Sequence, residues 1–91
     1  MRNPTKNQYI PDYITTPGEV ISDYLESVDM SPDQLAKATG ISSRYIYCVI
    51  RGIEPITELF AIQMENIFGR PVHFWLNLER QYQNDLARLR N

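Results

Sequence analysis

The stretch that decides the fold runs from Ser31 to Gly52 and reads SPDQLAKATGISSRYIYCVIRG. A serine at Ser31 and another at Ser42 can each cap a helix, and a proline follows the first serine at the opening helical position. Gly40 lies between the two halves, and glycine readily takes the left-handed conformation that ends a helix. The pattern predicts two short helices joined by a tight turn, which is a helix-turn-helix.

Small and apolar residues in this stretch fit the close crossing that the motif requires. Ala36 is small where the two helices would cross, and Gly40 follows four residues later at the turn. Ile41, Ile46 and Val49 supply apolar side chains that would fix the angle between the helices. Each feature alone is weak, but together they favour the helix-turn-helix over an arbitrary helical hairpin.

The outer face of the second helix carries the candidate DNA-reading residues. A helical wheel places Arg44, Cys48 and Arg51 opposite the apolar side, with Tyr45 and Tyr47 beside them. Arginine matches guanine with two donors, and tyrosine can contact phosphate or a thymine methyl group. The alternative is a plain helical hairpin with a solvated outer face. The predicted DNA-binding residues are Gln34, Lys37, Ser42, Ser43, Arg44, Tyr45, Tyr47 and Arg51.

Similar start and stop signals predict three further helices around this motif. The segment Thr16-Pro17-Gly18-Glu19 opens a first helix that ends near Val28. Thr57 caps a fourth helix through Phe68, and Pro71 opens a long fifth helix. The sequence therefore predicts an all-α domain of five helices over residues 17–91, preceded by an N-terminal arm over residues 1–16.

Aromatic residues mark the two ends of the chain as candidate contact surfaces. The fifth helix carries an apolar seam that can pack on its own domain or on a second copy. A symmetric dimer would let two recognition helices enter successive major grooves. The predicted dimer-interface residues are Phe74, Trp75, Leu78 and Tyr82. The arm is predicted either to pack on its own domain or to dock on a partner through Tyr9, Ile10 and Tyr13.

Composition excludes several functional classes. Ninety-one residues allow one domain, and the single cysteine, Cys48, excludes a disulfide framework and a zinc finger. No membrane span or signal peptide is apparent, which fits a cytoplasmic protein. His73 has no metal partners at ligand spacing, and no catalytic motif occurs, so neither a metal, a cofactor nor an enzymatic activity is expected.

Charge is distributed unevenly along the chain. The net charge is -2, which argues against binding nucleic acid by charge alone. Residues 31–52 nevertheless hold three basic residues and one acidic residue, a local charge of +2. Residues 17–69 as a whole carry three basic and eight acidic residues. A positive hairpin on an acidic body fits oriented binding with little affinity for random DNA.

The chain resembles the HigA-type antitoxins of the Xre-like helix-turn-helix superfamily. The resemblance covers about residues 15–89 and rests on four segments. These are Pro17-Gly18-Glu19, the motif from Gln34 to Gly52, Pro55-Ile56-Thr57 and Phe74-Trp75-Leu76-Asn77-Leu78. It implies a lambda-repressor-like fold and a bacterial cytoplasmic homodimer that binds double-stranded operator DNA, represses its operon and neutralises a HigB-like toxin. The resemblance makes the arm residues Tyr9, Ile10 and Tyr13 the candidates for toxin binding.

The sequence also departs from that family in ways that keep other functions open. Ile53 and Glu54 follow the recognition helix where basic residues are common, and Tyr45 and Tyr47 are bulky where smaller polar residues are common. One alternative is an Xre-type repressor without a toxin. A second is the DNA-binding domain of a longer metallopeptidase-linked regulator. A third is a toxin-binding protein whose helix-turn-helix no longer binds DNA.

Overall fold

The computed structural model describes residues 14–90, and this part of the chain contains five α-helices. The helices are α1 (Pro17–Ser27), α2 (Pro32–Thr39), α3 (Ser43–Ile50), α4 (Glu58–Phe68) and α5 (Val72–Arg90). Residues 14–90 contain no strand, and none of their helices is long and apolar enough to cross a bilayer. The predicted all-α class is confirmed, and the helix boundaries agree with the predicted ones to within about one residue.

A side-chain hydroxyl caps the N-terminus of each of the first four helices. Thr16, Ser31, Ser42 and Thr57 each accept a hydrogen bond from the backbone amide three residues further on, at 3.1 to 3.2 Å. These contacts satisfy amides that have no partner within the helix. In α2 the capping is reciprocal, because the Gln34 Oε1 atom accepts the Ser31 amide at 2.7 Å. Local sequence signals therefore explain where the helices start.

The core lies between α3 and α5. Helix α3 packs on α1 and α2, and α5 packs on α4 and also contacts α1. Its buried side chains are Ile21, Leu25, Leu35, Ile46, Val49, Ile56, Phe60, Ala61, Met64 and Trp75. Trp75 is the largest of them and is fully buried, with its ring 5.2 Å from that of Tyr24. Its indole nitrogen donates to the Arg70 carbonyl oxygen at 3.0 Å, so the polar atom is satisfied inside the core.

The start of α1 lies directly against the end of α3. A Cβ atom built on Gly18 would collide with the carbonyl oxygen of Ile50 and would lie 2.6 Å from the carbonyl carbon. Only glycine fits without displacing backbone, because an ordinary van der Waals contact needs more than 3.4 Å. The glycine of the Pro17-Gly18-Glu19 segment thus sets the distance between these two helices.

Two apolar residues near helix ends lie close to solvent. Val28 is 50% exposed, because α1 already ends at Ser27. Along α5, Trp75 is fully buried, whereas Leu89 at the far end is 48% exposed. Leu89 therefore presents apolar surface that the described part of the chain does not cover.

Candidate nucleic-acid interface

The turn between α2 and α3 is built from short-range hydrogen bonds. Gly40 ends α2 in the left-handed conformation, with φ at 75°, and its amide donates to the Ala36 carbonyl oxygen at 2.9 Å. The Thr39 hydroxyl donates to the Leu35 carbonyl oxygen at 2.8 Å and accepts the Ile41 amide at 3.2 Å. These bonds fix the direction in which α3 leaves the turn, so the predicted helix-turn-helix is present in the structure.

Two exposed arginines lie on the outward side of α3, the recognition helix, with Arg44 in its first turn and Arg51 as its C-cap residue. Ile46 and Val49 are buried on the opposite side, which leaves Arg44 and Arg51 exposed. The Arg51 guanidinium lies 5.7 Å from the centre of the Tyr47 ring, one turn earlier. This cation–π contact reduces the number of positions that the Arg51 side chain can sample. The arrangement presents guanidinium groups suited to guanine edges or phosphates.

Tyr45 has a different position from its neighbour Tyr47. Its ring packs edge-on against Phe60, with the ring centres 5.8 Å apart. Its hydroxyl donates to the Pro55 carbonyl oxygen at 2.6 Å and accepts the Thr57 amide at 3.2 Å. The hydrogen-bonding groups of Tyr45 therefore hold the loop after α3. Contact with DNA stays a prediction for this residue.

The remaining predicted DNA-binding residues lie on α2 and at the start of α3. Gln34 and Lys37 are exposed on α2, and the Gln34 side chain is already engaged in the capping box. Ser42 is exposed and caps α3, while Ser43 is half-buried in its first turn. The Ser42 oxygen accepts the Tyr45 amide, which leaves its hydroxyl proton able to donate to a phosphate. DNA contact remains a prediction for all four.

The loop after α3 contains contacts that sequence reasoning missed. Ile53 is 65% exposed, and Glu54 beside it is exposed as well. Further along, the amide of the buried Ile56 donates to the Glu79 Oε1 atom at 3.0 Å. Glu79 lies on α5, 23 residues away, and nothing in the helical periodicity separates it from the other polar residues of that helix.

The predicted dimer-interface residues divide between core and surface. Trp75 has no exposed area in the single chain and belongs to the core, while its predicted place at a dimer interface stays a prediction. Phe74, Leu78 and Tyr82 are half-buried. They retain surface, and their interface role stays a prediction. The predicted toxin-binding residues, Tyr9, Ile10 and Tyr13, lie outside the described residues.

Metal chemistry has no support in residues 14–90, where no group of three or more histidine, cysteine or acidic side chains could hold a metal ion. The same residues present two short helices, a tight turn and an outward cationic face on a compact helical core. These features define the class of helix-turn-helix proteins.

Comparison with known proteins narrows this class. No family model matches the chain. The chain is 34% identical to an addiction module antidote protein of the HigA family from Coxiella burnetii, with a TM-score of 0.77 over 80% of both chains. It is 29% identical to the Pseudomonas aeruginosa antitoxin HigA, whose structure was solved with the higBA promoter, with a TM-score of 0.79 over 85% of both chains. The chain belongs to the HigA family of Xre-like helix-turn-helix proteins.

A curated relative is longer than the chain. Over 66 residues the chain is 30% identical to YbaQ of Escherichia coli strain K12, described as an uncharacterised HTH-type transcriptional regulator. The match covers 71% of the chain and 58% of YbaQ. The chain thus spans little more than half the length of that relative.

Proposed function

We propose that the chain is a DNA-binding antitoxin that binds its operator as a homodimer, represses its own operon and neutralises a HigB-like toxin. The observation that carries the DNA-binding part is the outward face of α3, where Arg44 and Arg51 are exposed above buried Ile46 and Val49. Promoter binding by the similar HigA of Pseudomonas aeruginosa supports the same role here.

The electrostatics of the chain support binding at specific sites over coating of random DNA. Residues 31–52 carry a charge of +2, whereas the whole chain carries -2. Phosphate neutralisation drives sequence-independent binding, so an acidic body weakens it. Discrimination then depends on base contacts, and a bidentate arginine–guanine pair contributes about 1 to 3 kcal/mol.

Selection of duplexes from a random DNA library by the wild-type chain, followed by titration of a labelled selected duplex, tests this function. We expect Arg44→Ala to weaken binding of the selected duplex by about 1 to 3 kcal/mol and to weaken a random duplex much less. Arg80→Ala is the matched control, because Arg80 is exposed on α5 and its loss changes the charge equally.

Three outcomes would count against this assignment. Equal losses for Arg44→Ala on selected and random duplexes would mean that Arg44 contacts phosphate alone. An equal effect of Arg80→Ala would reduce the role of Arg44 to net charge. Failure of the wild-type chain to enrich any sequence would contradict DNA reading itself.

Dimerisation is proposed through the second half of α5. Between the segment entering α1 and this half of the helix lies an open groove of about 530 Å³. Pro17, Val20, Leu78 and Leu89 give it an apolar lining. An apolar surface of this kind suits a second copy, and a two-fold dimer would present two recognition helices to a palindromic site.

Toxin neutralisation is the part of the proposal that separates an antitoxin from an ordinary repressor. It is supported by the HigA-family antidote protein to which the chain is similar. We assign toxin contact to Tyr9, Ile10 and Tyr13 of the N-terminal arm. Growth of bacteria that co-express the chain with the toxin-like reading frame beside its gene tests this. Persistent growth arrest would contradict toxin neutralisation and would leave operon repression as the remaining function.

The proposed mode of action is binding without catalysis, in the cytoplasm. The similarity to DNA-binding antitoxins and regulators supports a non-enzymatic role. Operator DNA is the partner of the recognition helix, and no cofactor is needed for its contacts, because arginine and hydroxyl donors alone serve base edges and phosphates.

A further inference from the structure

The end of the loop that joins α3 to α4 is held by hydrogen bonds from two helices. One is the recognition helix, where the Tyr45 hydroxyl donates to the carbonyl oxygen of Pro55 and accepts the amide of Thr57. The other is α5, where the Glu79 Oε1 atom accepts the amide of Ile56. Three consecutive residues of the loop are therefore fixed between the DNA-reading helix and the proposed dimer helix.

The contact from Glu79 is well defined on both oxygens. Its Oε1 atom is 3.0 Å from the Ile56 nitrogen, and its Oε2 atom accepts the Gln83 side-chain amide at 2.8 Å. Ile56 is 5% exposed, so its amide needs a partner inside the protein. A carboxylate acceptor makes this bond stronger than a neutral one.

The start of the same loop is continuous with the end of the recognition helix. The Cys48 carbonyl oxygen accepts the amides of Ile53 and Glu54, at 2.8 and 3.3 Å. Near Gly52 the loop also approaches α5, since a Cβ atom built there would lie 3.7 Å from the Tyr82 hydroxyl. A shift of the loop relative to α5 would therefore carry the end of α3 with it.

We propose that Glu79 is a positioning residue for DNA reading, which sets the recognition helix relative to α5 by holding the loop at Ile56. Hydrogen bonds to base edges tolerate only small changes in distance and angle. In a two-fold dimer built on α5, the same bond fixes the separation of the two recognition helices. The inference rests on the proposed DNA-binding function.

Net charge and positioning predict opposite effects of removing this carboxylate. Glu79→Ala makes the acidic chain less negative, which by charge alone leaves DNA binding equal or tighter. Loss of the bond to Ile56 predicts weaker binding of a selected duplex, by about tenfold, with little change for a random duplex. The sign of the change therefore distinguishes the two effects.

The experiment compares Glu79→Ala, Glu79→Gln and Glu65→Ala with the wild-type chain. Glu79→Gln keeps an oxygen that can accept the Ile56 amide, so we expect its affinity to stay within about threefold of wild type. Glu65 is exposed on α4, and Glu65→Ala matches the charge change. Each chain is titrated with a duplex selected by the wild type and with a random duplex, below its melting temperature.

Several results would overturn the proposal. One is an affinity of Glu79→Ala for the selected duplex equal to or above that of Glu65→Ala. Another is a loss in Glu79→Gln as large as in Glu79→Ala while both chains remain folded by circular dichroism. Equal losses on selected and random duplexes would also contradict it. If the wild-type chain selects no duplex, the proposed DNA-binding function itself is contradicted. That outcome is therefore distinguishable from failure of the positioning role of Glu79.

Discussion

The missing side chain of Gly18 determines how closely α1 can approach α3. Helix propensity favours alanine over glycine by about 1 kcal/mol, so propensity alone would stabilise an alanine here. The carbonyl group of Ile50 occupies the space of that methyl group, and backbone cannot move aside as a flexible side chain can. Overpacking of this kind costs about 1 to 3 kcal/mol, with more expected where backbone must shift.

We therefore expect Gly18→Ala to lower the free energy of unfolding by about 2 kcal/mol, because a backbone clash near the upper figure of about 3 kcal/mol exceeds the gain of about 1 kcal/mol in helix propensity. Urea denaturation followed by circular dichroism measures the change. Ser22→Ala is the control, since Ser22 is exposed on the same helix. An unchanged or higher stability of Gly18→Ala would show that α1 can move away from Ile50 without cost.

At the scale of the element, the recognition helix uses its two tyrosines for different purposes. Tyr45 attaches the helix to the following loop through its hydroxyl, and Tyr47 lies beneath the Arg51 guanidinium. The first contact depends on an oxygen atom, whereas the second depends on the face of a ring. Replacement of each tyrosine by phenylalanine separates these roles, because the ring is kept and only the hydroxyl is lost.

We expect Tyr45→Phe to lower the free energy of unfolding by about 0.5 to 1.5 kcal/mol, because the exposed amide of Thr57 exchanges its bond to the hydroxyl for one to water. Tyr47→Phe should change it by less than about 0.5 kcal/mol, since the ring beneath Arg51 remains. Chemical denaturation of both variants tests the pair. Equal losses would mean that the hydroxyl of Tyr45 contributes nothing specific to the attachment.

The elements also show what local sequence predicts and what it does not. Capping residues such as Ser31 and Ser42 lie within three residues of the amides they bind, so a short window contains both partners. Glu79 and Ile56 lie 23 residues apart, and their contact depends on how α5 packs on the rest of the fold. A helical wheel placed Tyr45 beside the outward arginines, whereas its ring packs on Phe60 and its hydroxyl bonds the Pro55 carbonyl oxygen. Helix starts were therefore predictable, and long-range attachments were not.

At the scale of the whole molecule, the uneven charge has a consequence for specificity. The +2 of residues 31–52 lies within a chain whose net charge is -2. Exposed acidic residues lie on α1 and α4, including Asp23, Glu26, Glu58 and Glu65. Repulsion between these carboxylates and the DNA phosphates opposes binding to random DNA. Two motifs joined in a dimer therefore gain more binding free energy from a matched site than a single motif does.

That gain requires a dimer, and the exposed end of α5 provides the sharpest test of it. Leu89 is 48% exposed and lines the groove beside α1. We expect Leu89→Asp to raise the dissociation constant of the dimer about a hundredfold, since an unpaired carboxylate in an apolar interface costs roughly 3 kcal/mol. Analytical ultracentrifugation at micromolar concentration measures it. Leu59→Asp on α4, where Leu59 is 62% exposed, should leave the dimer intact. A dimer that survives Leu89→Asp would place the interface elsewhere, and Glu79 would then position each recognition helix without linking it to a partner.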